Sequence, residues 1–130
     1  MKVIHTSGKR KRAVARATIK PGTGVLKVNN HLVTDYFASL YAGRVNEPLL
    51  LAGDASKKFD ISVNVNGGGV NGQAVASRLA IARALVIHDK ALEEVFLKYD
   101  RNLLVADVRR NEPHKPNRSK PRAKRQKSYR

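Results

Sequence analysis

Phe59-Asp60-Ile61-Ser62-Val63-Asn64-Val65-Asn66 runs into Gly67-Gly68-Gly69 and then into the long stretch Val70–Ile87. The first eight residues alternate apolar and polar, which predicts a strand with one buried face. Beyond the three glycines, Val75, Leu79, Ala82 and Val86 recur at i, i+4, i+7 and i+11, one face of a helix, with Arg78 and Arg83 off it. A half-buried strand that turns through glycine into a long helix is the building unit of a sheet covered by helices.

The flanking segments extend this unit in both directions. Val3–Ser7, Ala13–Lys20 and Val25–Asn29 read as strands, the first two joined by the basic stretch Gly8–Arg12. Ala13, Ala15, Ala17 and Ile19 alternate with Val14, Arg16, Thr18 and Lys20, so Arg16 and Lys20 belong to an exposed face. Pro21-Gly22-Thr23-Gly24 and Asn29-Asn30 are turns. Thr34 is an N-cap for a short helix through Ala42 that carries Tyr36, Phe37, Leu40 and Tyr41, and a second short helix is expected over Pro48–Ala52. Past the long helix, Asp89 caps another helix through Tyr99, with Leu92, Val95, Phe96 and Tyr99 inward, and Leu103–Val108 reads as a last strand. The order predicts an α/β (α+β) fold: a two-layer sandwich of a mixed β-sheet packed by helices, followed by an extended basic C-terminal arm.

The charge divides the chain the same way. Of 130 residues, 26 are Lys or Arg and 10 are Asp or Glu, a formal net charge of +16. Residues 1–20 hold seven basic residues and no acid. Residues 21–105 nearly balance, with nine basic and eight acidic, whereas residues 106–130 hold ten basic residues against Asp107 and Glu112. A foldable middle is flanked by two basic ends, and such an excess calls for a polyanion or an acidic surface as partner. Two units are expected, a globular domain over 1–108 and an extended basic tail over 109–130.

Between Arg109 and Arg130 the only apolar residues are Ala123 and Tyr129, and Pro113, Pro116 and Pro121 interrupt any helix or ladder. Fully extended, these 22 residues reach at most about 70 Å at 3.3 Å per residue. Composition alone allows a solvated charge run, a localisation signal, or an arm that orders on RNA or DNA; the spacing of Arg and Lys by Ser, Pro, Asn and Gln favours the arm.

Several chemistries find no support. The chain has no cysteine, hence no disulfide, thiolate zinc site or cysteine nucleophile. Its apolar runs, such as Leu49-Leu50-Leu51-Ala52, are far shorter than a membrane span, and no leader-like apolar stretch opens it, so a soluble intracellular protein is expected. His5, His31, His88 and His114 lack metal-site spacing, and no serine sits in a nucleophile elbow. Gly67, Gly69 and Gly72 spell G-x-G-x-x-G. A dinucleotide site, however, needs a carboxylate closing a second strand, and Asp89 precedes a helix instead. The glycines therefore serve first as a tight turn packed on the next helix, while a helix N-terminus that receives a phosphate is the functional alternative. No enzyme is indicated.

The run Gly67-Gly68-Gly69-Val70-Asn71-Gly72-Gln73-Ala74-Val75-Ala76-Ser77-Arg78-Leu79-Ala80-Ile81-Ala82-Arg83-Ala84-Leu85 resembles the signature of the family of the ninth protein of the small ribosomal subunit. Gly8-Lys9-Arg10-Lys11-Arg12-Ala13-Val14-Ala15-Arg16-Ala17 resembles that family's opening, and the basic arm ending Gln126-Lys127-Ser128-Tyr129-Arg130 resembles its close, in the form of archaeal and eukaryotic members. The chain departs from the pattern at Pro116-Asn117-Arg118-Ser119, where relatives often carry glycine.

The resemblance implies a ribosomal protein of the cytoplasm that binds small-subunit rRNA in the head beside neighbouring head proteins, with no cofactor, no metal, no membrane and no homo-oligomer. Its sheet would include a left-handed crossover. The rRNA contacts implied are Lys9, Arg10, Lys11, Arg12 and Arg16 at the opening, then Arg109, Arg110, Lys115, Arg118, Lys120, Arg122, Lys124 and Arg125 along the arm. Lys127, Ser128, Tyr129 and Arg130 would approach the peptidyl-site tRNA, where an arginine fork grips phosphate in a bidentate way that lysine cannot. Tyr129 would either stack on a nucleotide or only pack.

Overall fold

In the computed structural model, which describes residues 2–130, the alternating segments form one sheet with two unlike faces. β1 (Ile4–Arg10) and β2 (Ala13–Pro21) make an antiparallel hairpin. β2 pairs antiparallel with β5 (Phe59–Asn66), and β5 pairs in parallel with β3 (Leu26–Val28), which forms a small hairpin with β4 (His31–Leu32). The order across the sheet is β1-β2-β5-β3-β4. A parallel pair needs a long crossover. Here it is supplied by α1 (Val33–Tyr36), α2 (Ser39–Ala52) and the 3₁₀ turn Gly53–Lys58. α3 (Val70–His88), α4 (Ala91–Tyr99) and a 3₁₀ turn at Arg101–Leu103 complete the regular structure. The architecture is a two-layer α+β sandwich.

Small residues let the layers approach closely. Ala13, Ala15, Ala17 and Ile19 of β2 and Phe59, Ile61, Val63 and Val65 of β5 are all buried toward the helices. α3 crosses this face, and Thr6 Oγ1 donates to the carbonyl of Ala80 at 2.8 Å. α3 packs on β1, β2 and β5 and is also flanked by α2 and α4, so its burial extends well beyond the expected stripe: Ala74, Ala76, Ser77, Leu79 to Ala82, Ala84 and Leu85 are all covered. Val75 and Val86 are only half-buried.

Four expectations need correction. β1 runs on to Arg10, because the basic residues after Ser7 continue the ladder as far as Arg10 opposite Ala13, leaving only Lys11 and Arg12 in the turn. The two short helices expected between Thr34 and Ala52 are instead α1, of four residues, and one continuous α2 that contains buried Pro48. The fixed φ of proline suits a helix, and the lost hydrogen bond is outweighed by packing at that position.

In α4 only Phe96 is fully buried, with Leu92 partly so, while Val95 and Tyr99 face outward. A nine-residue helix meets its neighbours along a narrow stripe. Leu103–Val108 is not a strand. Leu103 is buried, the amides of Leu104 and Val105 donate to the carbonyl of Arg101, and Arg83 Nε donates to the carbonyl of Leu104 at 3.1 Å. These bonds occupy the backbone groups a ladder would use.

Candidate nucleic-acid interface

The β1–β2 hairpin carries the first group of basic residues, and the pleat sorts them. Lys9 and Arg16 point away from the helices and are exposed, and Lys11 and Arg12 form the exposed turn. Arg10 lies on the other face, and its Nη1 is 2.8 Å from Asp107 Oδ2. Among the described residues, Arg10 is thereby paired with a carboxylate, as Lys9, Lys11, Arg12 and Arg16 are not.

Asp107 organises the start of the tail. Its carboxylate accepts Nε and Nη2 of Arg109 at 2.9 and 2.6 Å and the Arg109 backbone N–H at 3.0 Å. Those hydrogen bonds, followed by the charge of Arg10, hold Asp107 well below the usual carboxylate range. Arg110 Nη1 donates to the carbonyl of Lys11 at 2.9 Å. The two basic ends, remote in sequence, thus meet at the hairpin tip.

Farther along, Arg122 Nη2 and Glu112 Oε1 are 2.7 Å apart; the guanidinium lowers the Glu112 pKa, and the carboxylate raises that of Arg122. Turns occur around Pro116-Asn117 and Ser119–Arg122, and past Leu103 the described residues form no helix or strand. Lys115, Arg118, Lys120, Lys124, Arg125, Lys127, Ser128 and Arg130 are exposed, as is Tyr129. The tail and the hairpin together present a group of cations with few carboxylates among them.

The glycine loop closes on protein rather than opening on a ligand. Gly67 and Gly68 have φ of 75° and 64°, and a Cβ on Gly67 would lie 2.7 Å from the carbonyl oxygen of Arg12. Gln73 Nε2 donates to the carbonyl of Gly67 at 3.1 Å, and its Oε1 accepts from Tyr36 OH at 3.0 Å. Tyr36 OH in turn accepts from Asn29, whose side chain also exchanges two hydrogen bonds with the backbone of Val65. Asn29 thereby continues the β3–β5 ladder with its side chain. Asp89 accepts from the amide of Ala91 at 3.0 Å at the start of α4. The loop is thus a joint between hairpin, β5 and α3.

Sequence reasoning singled out the hairpin and tail cations but left Lys27, Ser62, Asn64 and Asn66 unassigned. All four are exposed on the face of the sheet that also carries Arg16 and Lys20. The signal was the alternation in β2 and β5, which becomes a shared surface only once the pairing of the strands is known.

Among known proteins, the sequence profile of the ribosomal protein S9/S16 family matches residues 8–130. The chain is 47% identical to the small ribosomal subunit protein uS9 of Methanococcus maripaludis strain C7 over 134 aligned positions, covering the whole of both chains. It is 51% identical to the protein of the same name from Thermoplasma acidophilum over 127 positions, covering 96% of this chain and 98% of the relative. The chain belongs to the ribosomal protein S9/S16 family, whose members are structural proteins of the ribosome and not enzymes.

Proposed function

We propose that the chain is a structural constituent of the small ribosomal subunit that binds rRNA in the head and extends its C-terminal tail toward the peptidyl-site tRNA. The observation that carries this reading is the joining of the two basic ends. Arg10 with Asp107, and Arg110 with the Lys11 carbonyl, set the root of the tail against the exposed cations of the hairpin. The folded domain then fixes where the tail starts, while Lys and Arg of both segments displace counterions along RNA phosphates.

In this reading Lys9, Arg10, Lys11, Arg12 and Arg16 hold rRNA at the hairpin, Arg10 while paired with Asp107. Arg109, Arg110, Lys115, Arg118, Lys120, Arg122, Lys124 and Arg125 follow rRNA along the tail. Lys127, Ser128, Tyr129 and Arg130 form the tip that meets tRNA. Other proteins of the head are its protein neighbours, and the cytoplasmic ribosome is its place of work. No helix among the described residues is long and apolar enough to cross a membrane.

The test is removal of Lys127–Arg130. Subunits carrying the shortened chain are expected to assemble almost normally but to lose peptidyl-site tRNA faster. Unchanged tRNA retention contradicts the role of the tip, and failure to enter the subunit contradicts the division of labour between domain and tail.

A further inference from the structure

The sheet face turned away from the helices carries an ordered set of polar side chains. Ser7, Arg16 and Asn64 lie side by side across β1, β2 and β5, and His5, Thr18, Ser62 and Lys27 form the next row. Lys9, Val14 and Asn66 flank these rows at one end, and Lys20 with Asp60 at the other. Among the described residues, no carboxylate lies within ion-pairing distance of Lys9, Arg16, Lys20 or Lys27.

Asp60 is the single acid of these rows. Its Oδ1 accepts the backbone N–H groups of Thr23, Gly24 and Val25 at 2.8, 3.1 and 3.1 Å, so its charge is engaged by the turn that ends β2. Three shallow depressions mark the face. One, of about 510 Å³, is lined by Arg12, Arg16, Asn29, Asn64 and Asn66, a second, of about 440 Å³, by His5, Ser7, Arg16, Thr18 and Asn64, and a third, of about 250 Å³, by Thr18, Lys20, Lys27, Asp60 and Ser62.

We propose that this face docks the sugar–phosphate backbone of double-helical RNA, with Lys20 and Lys27 continuing across the sheet the grip begun by Lys9, Arg12 and Arg16. The proposal rests on the reading that the chain binds rRNA and adds to it the surface and the form of the RNA. Charge complementarity selects a polyanion.

The distribution of side chains selects a double helix. Val14 and Lys20 are six residues apart on β2, a separation of about 20 Å at 3.3 Å per residue. Cations therefore stand at both ends, with Arg16 and the neutral amides and hydroxyls of Asn64, Asn66, Ser62 and Thr18 between them. Double-helical RNA offers the matching pattern, two phosphate strands flanking a wide, shallow minor groove lined by 2′-hydroxyls. Single-stranded RNA is held instead by stacking its bases on aromatic rings. The strands carry no Phe or Tyr on this face, since Phe59 is buried beneath the helices, and the one ring in these rows, His5, has its Nδ1 3.0 Å from Thr18 Oγ1.

The test uses the full chain with a mixed-sequence 20-base-pair RNA duplex and, separately, a 20-nucleotide single strand. Lysine acetylation read by mass spectrometry is expected to show Lys20 and Lys27 shielded by the duplex, while Lys90 and Lys98, exposed on the helical layer, stay reactive. The double substitution Lys20→Ala with Lys27→Ala, both exposed, is expected to leave the melting temperature unchanged. It should make the dependence of log K on log[salt] for the duplex shallower by about 1.8, at 0.9 per phosphate contact.

Duplex binding with no shielding and an unchanged slope overturns the inference and leaves the rRNA reading standing. Failure of the unaltered chain to bind either RNA overturns both. Equal shielding and equal loss on the single strand overturns the double-helical form. Shielding in assembled subunits that survives ribonuclease digestion assigns the face to an acidic protein instead, and likewise overturns it.

Discussion

Arg10 and Asp107, 97 positions apart, meet with Nη1 and Oδ2 2.8 Å from each other and fasten the end of β1 to the start of the tail. Both side chains are more than four-fifths covered, so loss of the carboxylate strands a guanidinium in a partly desolvated place. Asp107→Asn is expected to lower the melting temperature and to mobilise residues 108–112 on the nanosecond scale, read by backbone NMR relaxation. A melting temperature and relaxation profile identical to the parent would show that the pair does not fasten the tail.

The pH dependence of that pair follows from the lowered pKa of Asp107. A carboxyl group depressed in the folded state contributes stability that is complete above its unfolded value, 3.8 here, and that fades only as the pH falls through the lower folded value. The Asp107 carboxyl carbon is therefore expected to titrate in NMR with a midpoint below 3.8. A midpoint at or above the unfolded value would remove Arg109 and Arg10 as its partners.

Gly8 tests the closeness of the two layers. A Cβ there would lie 2.3 Å from the Ala76 carbonyl oxygen and 2.8 Å from the Ala80 amide nitrogen, both main-chain atoms of α3 that cannot step aside alone. Gly8→Ala should cost about 1–3 kcal/mol in urea unfolding. Gly69→Ala, where a Cβ meets nothing within 4 Å, should stay within about 0.5 kcal/mol of the parent. Equal effects at the two positions would contradict the packing of β1 on α3.

Gln73 tests the glycine loop as a joint. Gln73→Leu removes the side-chain donor to the carbonyl of Gly67 and the acceptor of the Tyr36 hydroxyl, which keeps only Asn29, and should cost about 1–3 kcal/mol in the same measurement. Nucleotide added to the parent protein should leave its melting temperature unshifted, since bound ligand would raise it by mass action.

Arg78 is shared by two acids from different elements, Glu47 of α2 at 2.6 Å and Asp100, which begins the last 3₁₀ turn, at 3.1 Å. Arg78→Met leaves two carboxylates facing each other over a partly buried site, and a loss of about 2–3 kcal/mol is expected. Restoring neutrality with Glu47→Gln and Asp100→Asn in the same chain should recover part of it, a non-additivity that a triple-mutant cycle reads directly.

Much of this architecture is legible in the residues. Phe59–Asn66 alternates without a break and is β5 from end to end. Asn29-Asn30 supplies the two positive φ values that the turn between β3 and β4 needs. Other features depend on neighbours that no local pattern reveals. Leu103–Val108 has the composition of a strand, yet its first carbonyls and amides are taken by Arg83 and the preceding turn. Arg10 looks like Lys9 and Arg12 in sequence, and only the ladder and distant Asp107 separate its surroundings from theirs. The open-face row of Lys27, Ser62, Thr18 and His5 required the strand order, which brings β3 beside β5 across a long crossover.

In the proposed function, hairpin and tail form one continuous RNA-binding surface whose far end reaches tRNA. The most direct measurement is a cryo-electron microscopy reconstruction of small subunits that contain this chain and a tRNA in the peptidyl site. The expected result is Lys9, Lys11, Arg12 and Arg16 against rRNA phosphates, tail cations following the same RNA, and the Arg130 guanidinium within about 3.2 Å of a tRNA phosphate oxygen. A hairpin facing solvent, or a tail directed away from the tRNA, would contradict it.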